Sequence, residues 1–172
     1  MAYRLNLRKK NLLVSIHVLS IVAWFGGAMC MFMLGLYMKN AKNGEQLYYI
    51  LSDMHLIDAT LIRYPALVVF ISGVLLSVWT QWGLVKYYWI VIKLVLTTLI
   101  IIFGIMFLGD WLSFLLETAH HYGFTALQKH DFQTTSLSLI LASAMNILAM
   151  TIMTCVTYFK PFGKIKKSAK ST

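Results

Sequence analysis

The chain has 172 residues, 59% of them hydrophobic and only 12% charged, with a mean hydropathy of +0.73. A soluble domain of this length carries about a quarter charged residues, so an ordinary water-soluble enzyme is excluded, and no length remains for a second folded unit. The net charge of +9 comes from 15 basic and 6 acidic residues, and its placement points to membrane orientation rather than to a nucleic-acid partner.

The stretch from Arg4 to Lys10, followed by an apolar run, imitates a secretory signal. The run is too long for one and lacks a small-x-small cleavage site, so it is expected to stay as a membrane helix. Gly27-Ala28-Met29-Cys30 is no lipoprotein signal either, because a large Met precedes the Cys. Four apolar runs, 11–38, 61–81, 87–111 and 136–159, each reach the ~20 residues needed to cross a ~30 Å hydrocarbon core as helix. Between the first two, 44–60 has apolar residues at helical spacing and predicts a short extra helix in the first outer loop. Pro65 near its junction with the second span predicts a kink there. Segment 112–121 is expected to continue the third helix, and the lysine-rich stretch 164–172 to be a basic tail near anionic lipid. Cys30 and Cys155 lie in apolar runs and read as small packing residues, not as a disulfide.

The charges give an orientation. With the N-terminus inside, Arg4, Arg8, Lys9, Lys10, Lys86, Lys160, Lys164, Lys166, Lys167 and Lys170 collect on one side. Lys39, Lys42, Arg63 and Lys129 fall on the other with all six acids. The expected fold is therefore an all-α, four-helix transmembrane bundle with both termini cytoplasmic, multi-pass in a bacterial inner membrane.

Depth then sorts the candidate residues. With helix midpoints near Trp24, Ser72, Ile100 and Ile147, His17 and Lys93 both lie about 10 Å to the cytoplasmic side, and Met153 about 9 Å. An ionisable group inside a membrane is costly and usually faces the bundle interior with a job to do. The faces agree: His17, Trp24, Ala28 and Met31 share a stripe, with Gly27 beside it. Lys93, Thr97 and Gly104 form a second, Asn146, Met150, Met153 and Thr157 a third, and Gly73 with Ser77 a small polar one on the second span. A neutral imidazole in such a bundle suits the iron of haem b, a thioether is a known partner ligand, and a lysine suits a propionate. The bland alternative has His17 bonded to another helix, Lys93 reaching the headgroups and Met153 filling space.

A second group stands outside the membrane: His55, Glu117, His120 or His121, and His130. Asp58 follows His55 by three residues, and Glu117 precedes His120 by three, a spacing that sets two ligands on one helical face and suggests an outer transition-metal site.

The stretch His17-Val18-Leu19-Ser20-Ile21-Val22-Ala23-Trp24-Phe25-Gly26-Gly27 resembles the first helix of the HemJ-type protoporphyrinogen oxidases. It is also similar to the membrane domain of copper-resistance protein D. Tyr64-Pro65-Ala66 with Gly73, Trp89-Ile90-Val91-Ile92-Lys93-Leu94, and Lys160-Pro161-Phe162 continue the resemblance in order. It implies haem binding at His17, with Lys93 in the same functional set, and porphyrin oxidation with electrons passed to quinone. Three readings follow: a haem b protein handling electrons or porphyrin; a copper-handling protein using the outer ligands with Met29, Met31, Met33, Met150 and Met153; and a non-catalytic subunit or sensor. Porphyrin, quinone or a second copy of the chain are the partners these readings admit. The motifs of nucleophilic hydrolases, phosphate-binding loops and His-Glu-x-x-His proteases are absent.

Overall fold

The computed structural model describes residues 6–80, 83–160 and 163–165. Arg4, Trp82, Pro161, Phe162 and the basic residues from Lys166 onward lie outside the described residues, and with them most of the expected tail.

The described chain is almost entirely helical and holds four helices long and apolar enough to cross a membrane. α1 (Leu7–Tyr37) ends in a 3-10 turn, Met38–Asn40. α2 (Gly44–Ile57) runs through a π-helical segment, Asp58–Arg63, into α3 (Tyr64–Trp79). α4 (Tyr88–Phe103) runs likewise through Gly104–Leu108 into α5 (Gly109–Tyr122). A 3-10 stretch, Gly123–Gln128, leads to α6 (His130–Phe159).

The local reasons are legible. Asn43 caps α2 by accepting a hydrogen bond from the Gln46 N–H at 2.8 Å, while the Gln46 side chain accepts from the Lys42 N–H at 2.8 Å. Pro65 stands in the first turn of α3 and cannot donate to the preceding turn; the π segment before it absorbs the mismatch without breaking the helix. Gly123, at φ +56°, ends α5 in a conformation that L side chains rarely adopt.

α1 packs against α3 and α6, and α4 closes the ring by touching the same two helices. Close approaches fix the register. A side chain at Gly27 would press on Leu61 and Ile62, one at Gly35 on Ile140, and one at Gly44 would meet the backbone of Gly123 and Phe124 at 2.8 Å. After α6 the chain turns back, and the Ile165 N–H donates to the Lys86 carbonyl at 3.0 Å. The start of α1, the α3–α4 connection and the end of α6 thus share one end of the bundle, the termini end.

The opposite end is a cap. There α2, α5, the Gly123–Gln128 stretch and the first turns of α6 enclose Met38, Leu47, Leu51, Met54, Leu112, Leu115, Ala126 and Leu139, all 0% exposed. The continuous paths Gly44–Trp79 and Tyr88–Gln128 span 36 and 41 residues. At 1.5 Å per residue a ~30 Å core needs only ~20, so the surplus builds the cap.

Towards the end of the run 11–38, Met31, Gly35 and Met38 are buried and pack in or beside the cap core. Two expectations change. Ser72 is not level with Trp24; it meets His17, and Ala66 shares a cavity wall with Trp24 instead. The second span is therefore shifted by six residues, about 9 Å, relative to the first. Cys30 and Cys155 are free and exposed on the outside of the bundle, not packed within it.

Candidate functional site

Near the termini end, two pairs of helices are joined by side-chain hydrogen bonds. On the first pair, His17 Nδ1 lies 2.8 Å from Ser72 Oγ. Ser72 is buried, while the imidazole is half-buried and sits against Gly73, where a Cβ would come within 3.3 Å of its Cε1. The absence of a side chain at Gly73 is what lets the ring lie against α3.

The Ser72 hydroxyl sets the proton on that ring. Its Oγ lies 2.5 Å from the Val68 carbonyl and 3.2 Å from that of Val69. A serine hydroxyl in a helix commonly donates its single hydrogen to a carbonyl of the preceding turn. Ser72 therefore donates to its own helix and offers a lone pair to His17. The tautomer that matches this arrangement is the one in which the imidazole donates from Nδ1 and Nε2 is unprotonated.

On the second pair, Lys93 Nζ donates to Thr157 Oγ1 at 3.0 Å, and Thr157 in turn donates to the Met153 carbonyl. The ammonium also lies 5.6 Å from the Trp89 ring centroid, within cation–π range. Thr97 Oγ1 donates to Met153 Sδ at 3.3 Å, and both residues are buried. Lys93 thus faces α6, and Met153 is inside the bundle with its sulfur already engaged. Trp24, 1% exposed, lies nearer the cap and lines a separate cavity.

The outer group is arranged differently. Among the described residues, no three His, Cys, Asp or Glu side chains come together as a metal site. His120 packs on Tyr48, His121 on Tyr122, and His130 lies 3.6 Å from Asp131 with both fully in the open. His55 and Glu117 are exposed on α2 and α5.

Sequence reasoning named His17, Lys93 and Met153 and placed Thr97 and Thr157 on their stripes, but passed over Ser72 as the partner of His17. Ser72 had a signal: Ala66, Val69 and Ser72 repeat every three residues and are the buried stripe of α3, rather than Gly73 and Ser77. The Asp58–Arg63 pair was also missed. Its 2.7 Å contact runs along the π segment, whose geometry five-residue spacing in sequence does not reveal.

Fold and site together give a helical chain with four helices long and apolar enough to cross a membrane and two polar side-chain contacts between helices near the termini end. No family model matches the chain, and neither a curated protein nor a solved structure gives a match.

Proposed function

We propose that this chain is a membrane-embedded haem b protein, oriented with both termini in the cytoplasm, in which His17 is the iron ligand. The observation that carries the reading is the hydrogen bond from His17 to Ser72. Metal-binding histidines typically donate their other ring N–H to a fixed acceptor, which sets the tautomer and raises the basicity of the ligating nitrogen. Ser72 does this here and leaves Nε2 as the donor atom.

Orientation rests on charge. Arg8, Lys9, Lys10, Lys86, Lys160 and Lys164 stand at the termini end, whereas Glu45, Asp53, Asp58, Asp110, Glu117 and Asp131 belong to the cap and its base. A hydrocarbon layer starting at Lys10, Trp79, Tyr88 and Phe159 and rising by ~20 residues ends near Cys30, Ala59, Leu108 and Leu139. His17, Lys93 and Met153 then fall in its cytoplasmic half, at one level. The membrane we propose for it is the bacterial inner membrane.

The donor chemistry fits a haem. His17 supplies an unprotonated nitrogen, and Lys93, held by Thr157, supplies a positive charge for a carboxylate at the same level. Met153 is a weaker second ligand, since Thr97 must release its sulfur first. The two cavities described hold about 140 and 160 Å³ and neither is lined by His17, so a porphyrin site of ~300 Å³ or more requires wider helix spacing. α4 is the helix least held: 11% of the most apolar window of its span is buried, against 28% for α1 and α6. When bound, the group supplies one-electron exchange at iron. The protein's part is to orient the ligand, keep water out and place a cation opposite the carboxylates. The resemblance to HemJ-type oxidases makes a porphyrin or quinone the matching partner.

The test is an optical spectrum of the protein purified from membranes, oxidised and reduced. A Soret band with reduced α and β bands is expected, lost in His17→Ala and kept in His120→Ala. Stoichiometric copper without porphyrin absorbance would favour metal handling, and neither group would favour a subunit or sensor; both outcomes overturn the haem reading.

A further inference from the structure

α4 and α5 form one continuous helical path that is held in two different ways. On the termini side of their join, α4 buries only Ile90 and Thr97. On the other side, α5 is fixed in the cap by Leu112, Leu115 and Ala119, at 0%, 0% and 2% exposed. The join itself, Gly104–Leu108, is π-helical and has no buried residue. One glycine opens it, Gly104, and another, Gly109, follows directly after it. Bends in long helices concentrate at π-bulges and at glycines, where the hydrogen-bond ladder changes its step and no Cβ restricts the backbone. The ladder is already loose here, since the Gly104 N–H is shared between the carbonyls of Ile100 and Ile101.

The surroundings of the join leave it room to bend. Ile100, Ile101, Gly104, Ile105 and Leu108 line the cavity of about 140 Å³, so this side of the segment lacks packed contacts that would hold it straight. On another side Phe103, Phe107 and Trp111 stack across the π turns, with ring centroids 5.1 to 5.9 Å apart. Those rings bridge the turns that the backbone holds least well. At its far end α4 meets the stretch 83–87, which is not helical. The 16 residues of α4 make a lever about 24 Å long, and a bend of ~20° carries its far end about 8 Å. Two side-chain hydrogen bonds tie that lever to α6, Lys93 to Thr157 and Thr97 to Met153.

We infer that α4 is a lateral gate, hinged on Gly104–Gly109, through which haem reaches His17 from the surrounding lipid. The cap and α5 stay fixed while α4 swings outwards, and the bonds to Thr157 and Met153 are the latch. The closed bundle has no porphyrin-sized space beside His17, so entry requires a movement of this kind. What passes the gate rests on the haem reading proposed above. The motion does not rest on it, and it is measured without haem.

The experiment measures distances between spin labels by double electron–electron resonance, on the full haem-free chain in lipid nanodiscs. Cys30 and Cys155, both exposed, are first replaced by serine. One label pair, Leu19→Cys on α1 with Val95→Cys on α4, crosses the gate. A second, Asp53→Cys on α2 with Glu117→Cys on α5, spans the cap; all four positions are exposed. The gate pair should show a second, longer distance, and the cap pair a single narrow one. Gly104→Ala with Gly109→Ala should lower the longer population at least about threefold, because alanine resists the departure from helix that glycine allows. Both added methyl groups fit, with the nearest atoms 3.6 Å away on Leu108 and 3.5 Å away on Arg63. Thr97→Val, which removes one bond of the latch, should raise that population. When haemin is added, the Soret band should grow at least about threefold more slowly in the double-alanine protein, to the same final height. A single narrow distance for the gate pair overturns the proposal, as does a longer population that the alanines leave unchanged. Equal rates of haem uptake overturn the role as a gate. Absence of a Soret band from both proteins overturns the haem reading instead, and the distances still decide the hinge. The first measurement alters nothing at the hinge, so it stands even if the alanine variant does not fold.

Discussion

The cap and the membrane-length section use similar side chains under opposite rules. In the cap, leucines and methionines from α2 and α5, with Phe132 of α6, meet in a core that admits no solvent. Nearer the termini the helices present Leu19, Val22, Leu99, Met145 and Leu148 outwards, each half-exposed or more. What holds those helices to one another is small residues at close approaches and a few polar bonds: His17 to Ser72, Lys93 to Thr157, Thr97 to Met153. Water drives apolar groups together in the cap; on the membrane placement proposed above, a lipid surround exerts no such drive, and helix contact in the other section depends on fit and hydrogen bonds. The two cavities lie in the second region, where packing is driven less hard.

That contrast is best broken by truncating one residue in each region. Phe132→Ala should cost about 3–5 kcal/mol by leaving a hole in a dry core, whereas Leu148→Ala, facing outwards, should cost less than about 0.5 kcal/mol. Thermal midpoints of both variants in nanodiscs check this, and similar losses would erase the distinction between the regions. At the boundary, Asp58→Leu leaves the Arg63 guanidinium without its partner. Because Arg63 is 51% exposed, the expected loss is nearer 1–3 kcal/mol than the larger figure for a fully buried pair, and Arg63→Met in the same chain should recover most of it.

Smaller effects sharpen the picture of the polar layer. Ser72→Ala strands the His17 Nδ1–H, with an expected loss of about 1–2 kcal/mol in stability. On the haem reading it also lowers the basicity of Nε2, so the reduction potential should rise while the Soret band stays; an unchanged potential would contradict the role given to Ser72. Thr157→Val, which removes the acceptor for Lys93, should have the smallest effect, about 1 kcal/mol or less, since Trp89 still faces the ammonium. Resolved melting curves for the two variants test that order.

Much of the architecture was readable in advance. The four long apolar runs, the helix within 44–60 and the continuation through 112–121 follow from hydropathy and spacing, and all are present. The stripe from Trp24 to Met31, and that from Asn146 to Met153, were legible because one face of a buried helix repeats every three or four residues. Ser72 was harder, because a serine in an apolar helix bonds its own backbone whether or not a neighbour needs it. The outer group is a different case: His55 and His120 stand at ligand-like spacing from Asp58 and Glu117, but among the described residues no three such side chains come together.

By itself the sequence determined how many long helices there are, where they turn, and which end collects the positive charge, since each depends on residues close together in the chain. It could not decide register. Helices in an apolar surround slide past one another at little cost until a glycine meets a side chain or a donor meets an acceptor, and those meetings join residues as far apart as His17 and Ser72 or Thr97 and Met153. Only the tertiary structure could therefore bring Trp24 and Asn146 to the wall of one cavity.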